Sequence, residues 1–149
     1  MNTEKLEHHA KSTYRWIKKV QRRAKDSGNL MGYCARASFR LAAQLRRAGY
    51  NAKVKVGSIY DGMAVHAWVE VNGYIVDVTC NQFKGPNILI APKQKAIEIG
   101  NNFHEQNPYA PGGRPITFTS ILKNPRRTAQ RFNRKGWCDS FAIYPEDLK

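Results

Sequence analysis

The chain has 149 residues, with 25 lysines and arginines against 11 aspartates and glutamates, for a net charge of +14 at neutral pH. That length suits one domain with a real core. Hydrophobic residues at 42% and charged residues at 24% exclude a disordered chain, and no apolar run approaches the roughly 20 residues of a bilayer-spanning helix. Three widely spaced cysteines, Cys34, Cys80 and Cys138, argue against a disulfide framework and against Cys-x-x-Cys zinc ligation. The polar N-terminus MNTEKLEHHAKSTYRWIKKV lacks the apolar stretch of a signal peptide. A cytoplasmic protein with no membrane partner is expected, or one delivered to a target cell by a route that no motif marks.

Residues 3–25 read as a basic helix, because Leu6, Ala10, Thr13, Ile17 and Val20 recur at three-to-four spacing. Asp26-Ser27-Gly28-Asn29 ends it. His8 and His9 are about 100° apart on that helix, poor geometry for joint metal ligation, and read as surface. A second helix spans residues 34–48. Cys34, Ala37, Ser38, Leu41 and Leu45 share its apolar face, and Arg36, Arg40, Gln44 and Arg47 share the opposite one. From Ala52 the period changes to two: AKVKVGSI, MAVHAWVEV, GYIVDVT and NILIAP give successive short strands, so the class is α+β. Beyond Lys95 the signals thin. NPYAPGGRP reads as a loop, either a linker or one facing substrate. Asn124-Pro125 reads as the start of a basic helix that Gly136 ends, and residues 141–144 read as a short strand. One domain over 1–149 is expected, with its core at about 30–92.

The most informative stretch is HAWVEVNGYIVDVT. Asn-Gly between alternating residues is a strong hairpin signal, since a type I′ turn needs positive φ at both central positions. With Asn72 and Gly73 as the loop, Val71 faces Tyr74, Glu70 faces Ile75, Trp68 faces Asp77 and His66 faces Thr79. His66, Trp68, Glu70, Ile75, Asp77 and Thr79 then share one side of the sheet. That face should border a cleft or another layer, while Ala67, Val69, Val71, Tyr74, Val76 and Val78 meet the helical core. His66 and Asp77 become diagonal neighbours with Cα atoms about 7–8 Å apart, so the carboxylate is in reach of one imidazole nitrogen. The remaining nitrogen needs something to deprotonate. Cys34, at a helix N-terminus where partial positive charge favours a thiolate, is the candidate nucleophile. Cysteine, histidine and aspartate fill the nucleophile, base and orienter roles of an acyl-transfer triad.

These residues resemble the transglutaminase-like superfamily of papain-like cysteine enzymes. GYCARASFRLAAQLRRAGYNAKVKVG, with Gly32 and Cys34 in place, is similar to the helix that carries the nucleophile, and HAWVEVNGYIVDVT to the two strands that follow. The resemblance covers about residues 30–92 and leaves the first helix and everything beyond Lys95 outside it. It implies a nucleophile-bearing helix packed on a small antiparallel sheet, with Cys34 as nucleophile, His66 as general base and then acid, and Asp77 as its orienting partner. The implied chemistry makes or breaks amide bonds through a thioester. No glutamine occupies the stretch just before Cys34 to act as the family's oxyanion donor. The Cys34 backbone N–H is the substitute, with Asn29 and Trp16 as side-chain candidates. Trp68 and Gln82 are candidates on the substrate side. Acetyl transfer to an arylamine uses the same residue order, but the HAWVEV string and the short chain favour the transglutaminase-like branch. With no acidic ligand cluster, calcium is not expected, and no other cofactor is called for.

Taken singly, each residue has an ordinary reading. A free cysteine is commonly a small buried hydrophobe. Trp68 fills core, Cys80 packs behind the aspartate strand, and His104 and Cys138 have no assigned role. The joint pattern carries the argument. The +14 charge exceeds what solubility requires, so an electrostatic partner is expected. An acidic protein or peptide substrate fits it, and so does nucleic acid contacted by KVQRRAK and NPRRTAQRFNRKG with Tyr14, Trp16 and Phe132 nearby for stacking. The oligomeric state is not legible.

Overall fold

A computed structural model describes residues 2–59, 64–103, 107–110, 113–116 and 145–148. The helix expected from Asn124-Pro125, the strand at 141–144, and His104, Phe132 and Cys138 lie outside these residues.

Helix α1 runs Glu4–Arg23 and buries Leu6, Ala10, Thr13 and Ile17, the stripe that its spacing predicts, with its lysines and arginines outward. Val20 packs against the core while partly buried, and Gln21 beside it is fully covered, its Nε2 donating to the Asn29 carbonyl at 2.8 Å. A polar side chain there holds the 24–29 turn against the helix that made it, satisfying a carbonyl otherwise orphaned between two helices.

Helix α2, Cys34–Arg47, is the central element and buries nine of its residues, including Phe39, Leu41 and Leu45. Complete burial of each such side chain contributes roughly 1.5–3 kcal/mol. It packs on α1 and on strands β1 (Ala52–Ile59) and β2 (Ala64–Val71). Strands β3 (Tyr74–Asp77) and β4 (Leu89–Pro92) continue the sheet. A fifth strand, β5 (Arg114–Ile116), pairs with β1, giving an antiparallel sheet of order β4-β3-β2-β1-β5. The hairpin register is the one the turn dictates: Val71 pairs Tyr74 and Glu70 pairs Ile75, with φ of +48° at Asn72 and +79° at Gly73.

Two elements depart from the sequence reading. Lys93–Gly100 is a helix, α3, although it buries only Ala96 and Gly100 and so carries no amphipathic stripe to read. Part of the expected loop NPYAPGGRP is instead β5; its Pro115 is tolerated because an edge strand leaves one row of N–H positions unpaired.

The sheet separates two cores. Ala67, Val69, Val71, Val76 and Val78 meet α1 and α2, as alternation predicts. The opposite face borders a second packed layer: Trp68 and Ile75 join Ile59, Cys80, Phe83, Leu89, Ala91, Ala96, Phe103 and Tyr109. Among the described residues, no helix is long and apolar enough to cross a membrane.

Candidate active site

Cys34 is the first residue of α2 and is 1% exposed. Its backbone N–H belongs to a first turn whose donors have no intrahelical acceptor. The approach to it is fixed by Gly32 at φ +89° and by the Leu30 N–H, which donates to Asn81 Oδ1 at 3.0 Å. The segment ahead of the cysteine is thereby tied to the turn that follows the aspartate strand.

His66 lies on β2 with no exposed surface, and its Nε2 sits 2.6 Å from Asp77 Oδ2 on β3. The diagonal pairing expected from the Asn72-Gly73 turn therefore forms. Cys34 lies near enough to the same imidazole to act on its protonation. Asp77 Oδ1 accepts from the Thr79 N–H at 2.9 Å and from its hydroxyl at 3.3 Å, so the carboxylate is held on both oxygens.

Burial alone would lower the histidine's pKa. The Asp77 charge and hydrogen bond outweigh it, with the Cys34 thiol adding to them, and the result is a rise to about 10. Asp77 moves the other way. Its burial favours the neutral acid, but the His66 charge and the hydrogen bonds from His66, Tyr109 and Thr79 hold it below its ordinary value. A proton on this ring is therefore retained at neutral pH, and the carboxylate stays ionised beside it.

Tyr109 is the functional residue that the sequence does not reveal. Its hydroxyl donates to Asp77 Oδ2 at 2.7 Å, the oxygen that also faces His66, and it is wholly buried. The only signal was a tyrosine inside a turn-rich segment. Pro108 and Tyr109 thus face the core, while Ala110 is exposed. Asn107 anchors them, its Nδ2 donating to the Ile97 carbonyl at 2.7 Å while its Oδ1 accepts from the Tyr109 N–H at 3.0 Å. Two glycines admit this approach: a Cβ on Gly57 would lie 2.3 Å from the Pro108 carbonyl oxygen, and one on Gly100 2.3 Å from Asn107 Oδ1.

The other residues singled out from sequence divide. Gln82 joins the site: its Nε2 lies 2.7 Å from His66 Nδ1 and 3.2 Å from the Thr79 carbonyl. With Nδ1 bare, that amide donates to the ring; with Nδ1 protonated, the carboxamide must present its oxygen instead. Trp68 is wholly buried, stacked 6.1 Å from the His66 ring centroid, and so both fills the second core and covers the imidazole. Phe83 closes another side at 4.8 Å. Asn29 is exposed, and its Oδ1 accepts from the Met31 N–H at 3.1 Å, within the loop leading to α2. The Trp16 ring lies beneath the guanidiniums of Arg36 and Arg40, at 5.4 and 4.4 Å, on the arginine-bearing face of α2. Cys80 is a packing thiol whose Sγ donates to the Pro86 carbonyl at 2.8 Å, and burial pushes its pKa far up. Among the described residues, no group of three or more histidine, cysteine, aspartate or glutamate side chains is placed to hold a metal ion.

The sequence pattern that defines the transglutaminase-like superfamily matches residues 2–83, more than half of the chain. The chain belongs to the transglutaminase-like superfamily. The superfamily match takes in α1, which the resemblance read from motifs had left outside, and ends at Phe83, ahead of β4, α3 and Tyr109. The transglutaminase-like assignment accords with the α+β architecture and with descent from cysteine-dependent enzymes. No curated protein and no solved structure matches the chain.

Proposed function

We propose that this transglutaminase-like protein is a cysteine-dependent acyl-transfer enzyme that acts on an amide of a protein or peptide, by deamidation, hydrolysis or amine transfer. The observation that carries the reading is the buried His66–Asp77 pair at 2.6 Å, with Cys34, at the start of α2, near enough to act on the ring's protonation. In this reading, the extra proton that His66 holds is the one Cys34 gives up, and the raised pKa of the ring favours that arrangement. The thiolate attacks the carbonyl carbon, forming a C–S bond and moving the carbonyl electron pair onto oxygen. The Cys34 N–H at the start of α2 is a donor for that oxyanion. Collapse breaks the C–N bond, His66 protonates the departing nitrogen, and a thioester remains. Water or a second amine, deprotonated by His66, then displaces the thiolate. Asp77 stabilises the imidazolium throughout and stays ionised.

The test is labelling of the protein by a peptide-amide electrophile, read by intact mass, in the unchanged chain and in Cys34→Ala and His66→Ala. Labelling is expected only in the unchanged chain, with both variants folded. Full labelling of Cys34→Ala would refute the proposal. Candidate protein partners incubated with the active chain would then show the small mass gain of amide-to-acid conversion or the large one of a crosslink.

A second reading, a basic binding module without chemistry, is favoured by Arg15, Lys18, Lys19 and Arg22, which with Tyr14 line a shallow depression of about 230 Å³ on α1. Phosphate contacts there would make affinity for nucleic acid fall steeply with salt. Negligible binding at low salt would remove the nucleic-acid version.

A further inference from the structure

The arginine face of α2 is spaced for one ligand. Arg36, Arg40 and Arg47 fall four and seven residues apart and share a face of the helix, and α2 contains no acidic residue to neutralise them. The chain's own C-terminal turn, Pro145–Leu148, sits on this face. Arg36 grips the Asp147 carboxylate with both arms of its fork, Nε to Oδ2 at 2.6 Å and Nη2 to Oδ1 at 3.2 Å. Arg40 donates to the Asp147 backbone carbonyl at 3.1 Å, and Arg47 to that of Leu148. The Leu148 side chain enters the helical core. Trp16 stacks beneath Arg36 and Arg40 and holds their planes in place.

We propose that this face is a docking site for an acidic segment of a protein partner, an aspartate or glutamate followed by a large apolar residue, and that Asp147-Leu148 occupies it in cis. Recognition is divided in the way peptide sites divide it. One side-chain carboxylate is selected by a bidentate arginine, one apolar side chain fills a gap in the core, and two backbone carbonyls are held regardless of sequence. Any segment with the same acid-apolar pair satisfies the same donors. Among the described residues these three guanidiniums hold one side-chain carboxylate, that of Asp147, so the charge of the face is complementary to an acidic segment. This face lies opposite Cys34 on α2, so the docking does not rest on the proposed acyl-transfer reading.

The experiment titrates a fluorescein-labelled peptide with the sequence of residues 143–149 into the full chain, into an Asp147→Ala/Leu148→Ser variant, and into that variant carrying Arg36→Glu as well. A tethered occupant competes at high effective concentration. The double variant is therefore expected to bind the peptide at least tenfold more tightly than the unchanged chain. Adding Arg36→Glu should weaken binding tenfold or more, as should replacing the peptide's aspartate by asparagine. Binding should persist in a Cys34→Ala background, so loss of docking and loss of chemistry are read separately. A folded double variant that binds no better than the unchanged chain, or is indifferent to Arg36→Glu, overturns the proposal. A single-stranded oligonucleotide that outbinds the peptide on this face overturns the assignment to a protein partner. Should the double variant not fold, excess unlabelled peptide is added to the unchanged chain, where release of the tail should raise amide exchange at residues 146–148; no change there is also a refutation.

Discussion

Tyr109→Phe isolates one oxygen atom. The phenyl ring keeps its edge-to-face contacts with Trp68 at 5.3 Å and Phe103 at 5.9 Å, so no cavity opens. What is lost is the 2.7 Å hydrogen bond to Asp77 Oδ2, one of four that the carboxylate accepts. A hydrogen bond to a buried charge contributes about 1.5–3 kcal/mol, so the variant should be less stable by about 2 kcal/mol at neutral pH. That corresponds to a fall in Tm of roughly 4–8 °C for a domain of this size. The same loss raises the Asp77 pKa back toward its ordinary value, because the Tyr109 hydrogen bond is one of the contacts that hold it down. Because the folded carboxylate lies below its unfolded value, its stabilisation is present above the ordinary aspartate range and disappears as pH falls through the folded pKa. The gap between Tyr109→Phe and the unchanged chain should therefore be widest at neutral pH and narrow in acid. Urea melts from pH 3 to 8, with Cys34 alkylation rates over the same range, measure both effects. The acid limb of the alkylation profile should move upward in the variant. A Phe variant with unchanged stability and an unshifted profile would refute a role for the hydroxyl in holding Asp77.

Three further outcomes follow from the same geometry. Asp77→Asn removes the counter-charge from a fully buried ring, and the His66 pKa should fall from its raised value toward or below the ordinary 6.5, as followed by NMR titration of the imidazole; an unmoved titration would place the cause elsewhere. For the unchanged chain, the stabilisation from the raised His66 pKa is complete below about 6.5 and is lost as pH rises through about 10. Denaturation midpoints at pH 7 and 10.5 should fall more in the unchanged chain than in His66→Gln, and equal falls would contradict the pairing. Gly57→Ala drives a methyl group to 2.3 Å from the Pro108 carbonyl and 3.0 Å from the Trp68 ring, and should cost about 1–3 kcal/mol and displace Tyr109. Its alkylation profile should shift in the same direction as that of Tyr109→Phe. A stable variant with an unshifted profile would mean that the 107–110 segment does not hold the aspartate.

Local chemistry made much of this protein legible from its letters. Alternation named the strands and sorted Val69, Val76 and Val78 to the helical core, because side-chain direction in a strand depends only on parity. Asn72-Gly73 set the hairpin register, because positive φ at two successive residues admits few side chains, and that register carried His66 to Asp77.

Tertiary structure decided the rest. Tyr109 reaches Asp77 across 32 residues, and Asp147 reaches Arg36 across 111, and no periodicity or turn signal in either segment specifies such a meeting. Strand β5 and helix α3 carry weak local signals, and they take their form from the β1 edge and the packed second core. That core also determined that the face bearing His66 would be sealed under Trp68, Phe83 and Tyr109 instead of opening directly to water. Sequence neighbours fix which way a side chain points, whereas only the folded chain fixes what it meets.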